Sequence, residues 1–386
     1  MRSSPGPLVG LALSGGGFRA TLFGLGTLCR LNDLGYLRRI DRISSVSGGS
    51  ITAGHLGFRW KELHFDGVGV ATNFNDVIVQ PLRRFCTRSV DAPAIVKGAL
   101  TPFRTIGDMV AAKYDKELFR KEDGSSATLQ DLPSDGEGPR FVICATSLQT
   151  RANVRFCKPY IADFNLGRLM NPTIKLSVAV GASSAFPPIL SPVILKTDPD
   201  QWIEAPKVPP MELRKLRSRL VLTDGGVYDN IGLEPLWSKE SRDPSKLIGT
   251  ILVSDAGSPA SMDASPWKNW AGQLTRVRGI MMEQTRALRR RILMEELMAE
   301  RMHGALWRIG TLIDDFQLAD AMIGDTPTTT ALRKVRTRLN PFNEREQCQL
   351  INWGYALCDA AMRKHVQSGE RPVTWPAPGP YAYPIK

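Results

Sequence analysis

Leu8-Val9-Gly10-Leu11-Ala12-Leu13-Ser14-Gly15-Gly16-Gly17-Phe18-Arg19 is the stretch whose reading decides the fold. An apolar run ends in three consecutive glycines, and a helical pattern follows. Across Ala20–Leu34 the residues Leu22, Leu25, Cys29 and Leu31 supply a buried stripe, and Gly35 stands where a C-cap glycine would. A strand that enters a helix through a glycine turn leaves backbone N–H groups free at the helix N-terminus, a natural anion cradle. The same unit then recurs. Ile40–Val46 reads as a second strand and Gly48 to Phe58 as a second helix. Strand, turn, helix, strand, turn, helix is the opening of a parallel α/β sheet.

The second corner, Ser45-Val46-Ser47-Gly48-Gly49, is a near match to the G-x-S-x-G elbow that mounts a nucleophile on a strained strand-to-helix turn. Of Ser44, Ser45, Ser47 and Ser50, only Ser47 has a glycine two residues on (Gly49) and a small residue two before, at the end of an apolar strand. Ser45 departs from the pattern, since glycine is usual there. Ser47 could instead serve as a helix N-cap. A serine nucleophile needs donors for the oxyanion it creates, and the glycine turn offers them. The two corners together point to acyl transfer.

The remainder is compatible with one large domain and an appendage. The chain has 386 residues, 42% apolar and 23% charged, which is globular and argues against disorder. Residues 76–138 hold helical pieces broken by Pro81, Pro93 and Pro102, with a polar loop from Lys121 to Gly138. Further strands are expected at Arg140–Ser147, Val221–Thr223 and Thr250–Ser254. The Pro- and charge-rich insertion 196–219 reads as a surface excursion or a flap. From Trp267 to Arg301 runs a helical pattern with Trp270, Leu274, Val277, Met281, Leu288 and Ile292 on one face. Arg276, Arg278, Arg286, Arg289, Arg290 and Arg291 crowd the rest. Such a helix either packs on the core or lies on a membrane, with Arg286, Arg289, Arg290 and Arg291 as the candidate contact. A Pro-rich tail with Trp375, Tyr381 and Tyr383 follows Arg371.

Six scattered cysteines without C-x-x-C spacing fit a reducing compartment better than a disulfide framework or a zinc site, so no metal is expected. No stretch approaches the ~18 apolar residues of a membrane span. The net charge of +12 favours anionic partners, and no nucleic-acid signature accompanies it. The expectation is a cytoplasmic protein, peripherally associated with anionic membrane, that binds no nucleic acid.

Asp224 is the candidate partner for Ser47. It follows the strand 220–223 and opens Asp224-Gly225-Gly226, so its carboxylate sits at a strand's C-terminal end, where sites of open α/β sheets collect. There it can act as base in a two-residue dyad. The alternative is a turn residue that starts a helix. The histidines, His55, His64, His303 and His365, lie in no distinctive loop.

These motifs resemble those of the patatin-like phospholipases, relatives of the cytosolic phospholipase A2 catalytic domain. Gly15-Gly16-Gly17-Phe18-Arg19 is similar to the family's G-G-G-x-R motif, and Ser45-Val46-Ser47-Gly48-Gly49 to its elbow. Asp224-Gly225-Gly226 is similar to its D-G-G/A motif, and Ala182-Ser183-Ser184-Ala185-Phe186-Pro187 to its A-S-x-A-x-P segment. The resemblance covers roughly residues 8–232. It implies a three-layer α/β/α sandwich with a mostly parallel central sheet, no required cofactor, and hydrolysis of fatty acyl esters of phospholipid or lysophospholipid. It makes Ser47 the nucleophile, Asp224 the base and the Gly15, Gly16 and Gly17 amides the oxyanion hole. Arg19 would support that loop, with Gly49, Gly225 and Gly226 as close-packing neighbours. The expected organisation is a catalytic core over 1–260 and a helical C-terminal extension over 261–386 packed on it. Alternatives are an α/β-hydrolase esterase with a Ser47–Asp224–His365 triad, an inactive lipid-binding relative, and nucleotide binding by the glycine loop.

Overall fold

The computed structural model describes residues 8–90, 105–203, 209–237, 248–257, 262–265 and 267–367. In chain order the strands are β1 (Leu8–Leu13), β2 (Arg42–Val46), β3 (Arg140–Ser147), β4 (Asn153–Phe156), β5 (Tyr160–Asp163) and β6 (Gly167–Met170). They continue as β7 (Val193–Lys196), β8 (Trp202–Ile203), β9 (Arg219–Asp224), β10 (Ile248–Asp255) and β11 (His303–Arg308). The α-helices are α1 (Gly17–Asp33), α2 (Gly48–Arg59), α3 (Gln80–Cys86), α4 (Ile106–Leu118) and α5 (Leu176–Ser183). The rest are α6 (Pro210–Ser218), α7 (Gly226–Asp229), α8 (Trp270–Met298), α9 (Pro327–Leu332) and α10 (Glu344–His365).

β1 is buried almost throughout because it lies at the middle of the parallel part of the sheet, with both faces covered. The order β11-β10-β1-β2-β3 is parallel throughout. Leu11 and Leu13 of β1 point into the larger core and Ala12 into a smaller one on the opposite face. The larger core lies under α1, α2 and α10. The smaller lies under residues 231–237 and the C-terminal half of α8, through Leu293 and Leu297. This is the three-layer α/β/α arrangement, with unequal layers.

Beyond β3 the sheet turns antiparallel through β4, β5, β6 and β8. That meander has no counterpart in the sequence reading, because strands of four residues or fewer carry too little alternation to register. β9 is antiparallel as well, pairing with the end of β3 and with β7.

Beyond residue 260 the chain contributes the edge strand β11 as well as the expected helices. α10 crosses α1 in close contact. A Cβ on Gly26 would meet Ile351 O at 1.9 Å, and one on Gly354 would meet Phe23 O at 2.1 Å, so glycine on both helices permits the approach. Arg30 of α1 pairs with Asp359 of α10 at 2.7 Å with both side chains buried. Removing either partner would strand a buried charge.

Two expectations change. The insertion 196–219 is built into the sheet edge: β8 pairs with β6, and Trp202 and Leu213 are buried. The proposed contact of Arg286, Arg289, Arg290 and Arg291 with a membrane fails, because Arg286 is buried, Arg289 and Arg290 are half-buried, and Arg291 alone is exposed. The Pro-rich tail from Arg371 lies outside the described residues. Among those residues, no helix is long and apolar enough to cross a membrane.

Candidate active site

Consecutive residues of β3 bring Ser47 and Asp224 together. Val46, the last residue of β2, pairs with Cys144, and Asp224, the last residue of β9, pairs with the next residue, Ala145. β2 is parallel to β3 and β9 antiparallel, so the two strands meet end to end on one edge of β3. The sequence reading placed Asp224 correctly at a strand's C-terminal end, but that strand runs head-on toward β2 rather than alongside it.

Ser47 adopts φ 52, ψ −121, a left-handed conformation that a residue with a side chain rarely holds. Its hydroxyl makes no cap bond to α2, so the N-cap alternative does not account for it. The strain is fixed from several sides. Ser47 N–H donates to Ser183 Oγ at 2.9 Å, and Ser183 Oγ donates to Cys144 O at 2.6 Å. Gly48 lies where a Cβ would meet Gly17 O at 2.0 Å, and Gly49 where one would meet Leu13 O at 2.4 Å. Ser45, the departure from the elbow pattern, is absorbed by a hydrogen bond from Ser50 Oγ at 3.0 Å.

Asp224 is buried, and burial pushes its carboxyl from the ordinary 3.8 up to about 7, opposed by the Ser47 hydroxyl and the Gly226 N–H. Gly226 N–H donates to Asp224 Oδ1 at 2.6 Å. Oδ2 is buried and accepts no bond of full hydrogen-bond geometry among the described residues, which leaves it open to a proton. Gly225 is packed against Cys144 O, where a Cβ would sit at 2.3 Å.

The glycine turn supplies fewer donors than expected. Gly15 N–H is already engaged by Asn230 O at 3.0 Å, so Gly15 leaves the set of oxyanion donors. Gly16 (φ 145) and Gly17 (φ 57) open α1, and their N–H groups have no protein acceptor among the described residues. Arg19 is fully buried beneath the turn. It donates to Val335 O at 2.9 Å, to Arg333 O at 3.4 Å and to Ala256 O, and burial lowers its pKa to about 10. It ties the turn to the C-terminal part of the chain.

These groups line one cavity of about 520 Å³. Gly15, Gly16, Gly17, Ser47 and Asp224 form its polar floor, and Phe186, Ile189, Leu190, Met282 and Leu339 give apolar wall. The size and the mostly apolar lining suit a small amphiphile. None of the four histidines lines it. His365 is exposed at the end of α10 against Phe316, and buried His55 bonds Val77 O with its pKa lowered by burial to about 4. The Ser47–Asp224–His365 triad is therefore not assembled.

Sequence reasoning missed Asn230, Glu283, Arg286 and Thr337, all of which line the cavity. Asn230 Oδ1 is what a Cβ on Gly15 would meet, at 2.3 Å. Nothing in local spacing announces these residues; they arrive through tertiary packing from three separate segments.

A family model described as patatin-like phospholipase matches residues 11–237. No curated protein matches. Among solved structures, human GIVD cytosolic phospholipase A2 overlaps with a TM-score of 0.51 at 13% identity, covering 92% of this chain and 58% of that one. The same human enzyme in complex with methyl gamma-linolenyl fluorophosphonate inhibitor and terbium chloride gives a TM-score of 0.50 at 15% identity, covering 93% and 59%. The chain thus spans about three-fifths of the length of those proteins, and at this identity the likeness shows the fold.

Proposed function

Because this chain belongs to the patatin-like phospholipase family, we propose that it is a serine hydrolase of lipid fatty acyl esters, with Ser47 as nucleophile and Asp224 as its base. The observation that carries the reading is the end-to-end meeting of β2 and β9, with both side chains lining one cavity beside two amides that have no acceptor among the described residues. Asp224 takes the Ser47 proton as Oγ attacks the ester carbonyl. Gly16 and Gly17 N–H hold the resulting oxyanion. Collapse expels the alcohol, which takes its proton from Asp224, and leaves an acyl-serine. Water, deprotonated by Asp224, then attacks that ester and releases the fatty acid, with the proton returned to Ser47. A carboxyl poised near 7 can both accept and return a proton at neutral pH, where an ordinary aspartate would be a poor base.

The apolar wall accommodates an acyl chain, and the substrate class proposed is a phospholipid or lysophospholipid. Residues 1–260 carry the nucleophile, the base and the amides. Thr337 and Arg338 border the glycine turn: Thr337 O and Arg338 O lie 2.6 and 2.7 Å from where a Gly17 Cβ would be, and Phe18 N–H donates to Arg338 O at 3.1 Å.

An alkyl fluorophosphonate should modify Ser47 in the folded protein, read by peptide mass, and a lipid-class panel should show fatty acid release. A folded protein that leaves Ser47 unmodified overturns the assignment. Gly17→Ala is expected to lower kcat by roughly 10²–10³, the cost of losing or tilting one oxyanion donor. The added Cβ cannot be accommodated at φ 57 without moving the turn from the Thr337 and Arg338 carbonyls. A change in KM alone would reduce Gly17 to a docking role.

A further inference from the structure

We propose that the outer face of α8 is a docking surface for a lipid bilayer. Surface helices bury their apolar stripe and expose their charges. Over Trp270–Leu288, α8 does the reverse. Trp270, Leu274, Val277, Met281 and Leu288 follow one another at helical spacing on a single line and are 49–80% exposed. That line is about 27 Å long. The opposite side faces the protein with charge. Arg286 is buried and pairs with Glu283 at 2.8 Å, and Arg289 lies 3.6 Å from Asp229 and over the Tyr228 ring. The buried Asp229 holds Arg289 inward, and the apolar line is turned out. An exposed apolar stripe of this extent marks an interaction site.

Charge, aromatic content and position select the occupant. Between Trp267 and Met282 the chain carries Lys268, Arg276 and Arg278 and no acid. A second copy laid on the same face would bring these cations against their own counterparts, whereas an anionic leaflet attracts them. Trp267 and Trp270, both exposed, have the amphipathic rings that settle at a membrane–water boundary. The stripe is also continuous with the cavity rim. α8 lines the cavity through Gly279, Met282 and Glu283, and Arg278 donates to Pro187 O while lying over the Phe186 ring. Phe186 and Ile189 are themselves exposed at that rim. A bilayer seated on the stripe therefore meets the entrance to the cavity. The choice of lipid as partner rests on the function proposed above; the exposure of the face does not.

The test uses the full chain carrying Ser47→Ala, so that vesicles stay intact, and mixed phosphatidylcholine–phosphatidylglycerol vesicles. Co-sedimentation is expected, and it should persist in part at about 0.5 M NaCl because apolar contact is insensitive to screening. Leu274→Glu with Met281→Glu should weaken vesicle binding by more than about tenfold, since each loses the burial of a large apolar side chain. In the active Ser47 protein the same pair should cut hydrolysis of vesicle lipid to a similar degree, yet leave kcat/KM on a soluble short-chain ester within about twofold. Both positions are exposed, so the melting temperature should hold; Trp270→Ser provides a second, neutral variant. Wild-type protein that ignores vesicles overturns the docking proposal, as does binding that the glutamates do not change. So does a wild-type dimer that the glutamates dissolve, since the stripe would then be a subunit seam. Soluble-ester hydrolysis without vesicle binding defeats only the docking. Vesicle binding with no hydrolysis of any ester defeats only the enzymatic reading.

Discussion

Ser47→Ala is expected to lower kcat/KM on a fatty acyl ester by about 10⁶ while leaving the fold intact, the scale of loss when a serine nucleophile is removed from a unit that acts together. The structural cost should be small. Ser47 already holds φ 52, alanine pays a similar strain there, and the hydroxyl caps no helix. The bonds that fix the corner run through the Ser47 backbone, to Ser183 Oγ and from Ser184 Oγ, and survive the change. The measurement is a rate on soluble ester alongside a melting curve, with loss of fluorophosphonate labelling as a second readout. His365→Ala is the control, and it should keep activity within about twofold because that ring lies outside the cavity. A folded Ala variant with more than about one per cent of the wild-type rate would remove Ser47 from the mechanism. A dead His365 variant would move the chemistry to a site this fold does not assemble.

How much of this was legible in the chain follows from the range over which each feature is determined. β1, α1, β2 and α2 were readable because glycines punctuate periodic apolar runs, and both features are local. Arg140–Ser147 is the expected strand to the residue. The place of Asp224 at the end of a strand was readable, but the direction of that strand was not. A short apolar run has no polarity of its own, and only pairing with β3 assigns one. The spent donor at Gly15 depends on Asn230 arriving from beyond β9, a contact without a local signature.

The long basic helix shows the same limit more sharply. Its periodicity announced a helix, and Trp270–Met298 is one. Periodicity separates an apolar face from a charged face but does not say which is turned inward. That depends on what waits inside, and here it includes the buried Asp229, which holds Arg289. Neutralising Arg286, Arg289, Arg290 and Arg291 would therefore disturb packing next to the cavity and could not isolate a surface contact.

Asp224→Asn should lower kcat by about 10⁴, since an amide takes no proton from Ser47 and a positioned base is worth up to that factor. The same substitution should stabilise the protein, and the pH dependence of that gain is what makes the prediction specific. Burial raises the folded-state carboxyl from 3.8 to about 7, so the folded protein keeps a proton that the unfolded chain releases at lower pH. The proton's contribution to stability is complete below about pH 4 and is lost as pH rises through about 7. Above that, the fold carries a buried carboxylate with one full hydrogen bond, from Gly226. A rise of this size corresponds to on the order of 4 kcal/mol between the two states of ionisation. Asparagine keeps the acceptor for Gly226 N–H without the charge, so Asp224→Asn should melt higher than wild type at pH 8, and the gap should close toward pH 4. Wild-type kcat/KM should rise over the same window and level off above about pH 7, because catalysis needs the ionised form that the fold disfavours. A variant that is inactive and less stable at pH 8 would make Asp224 a structural residue; one that stays active would leave Ser47 without a base. On the proposed mechanism activity and stability are thus opposed at a single oxygen pair, since the carboxylate assigned to take the serine proton is the group whose ionisation the surrounding fold resists.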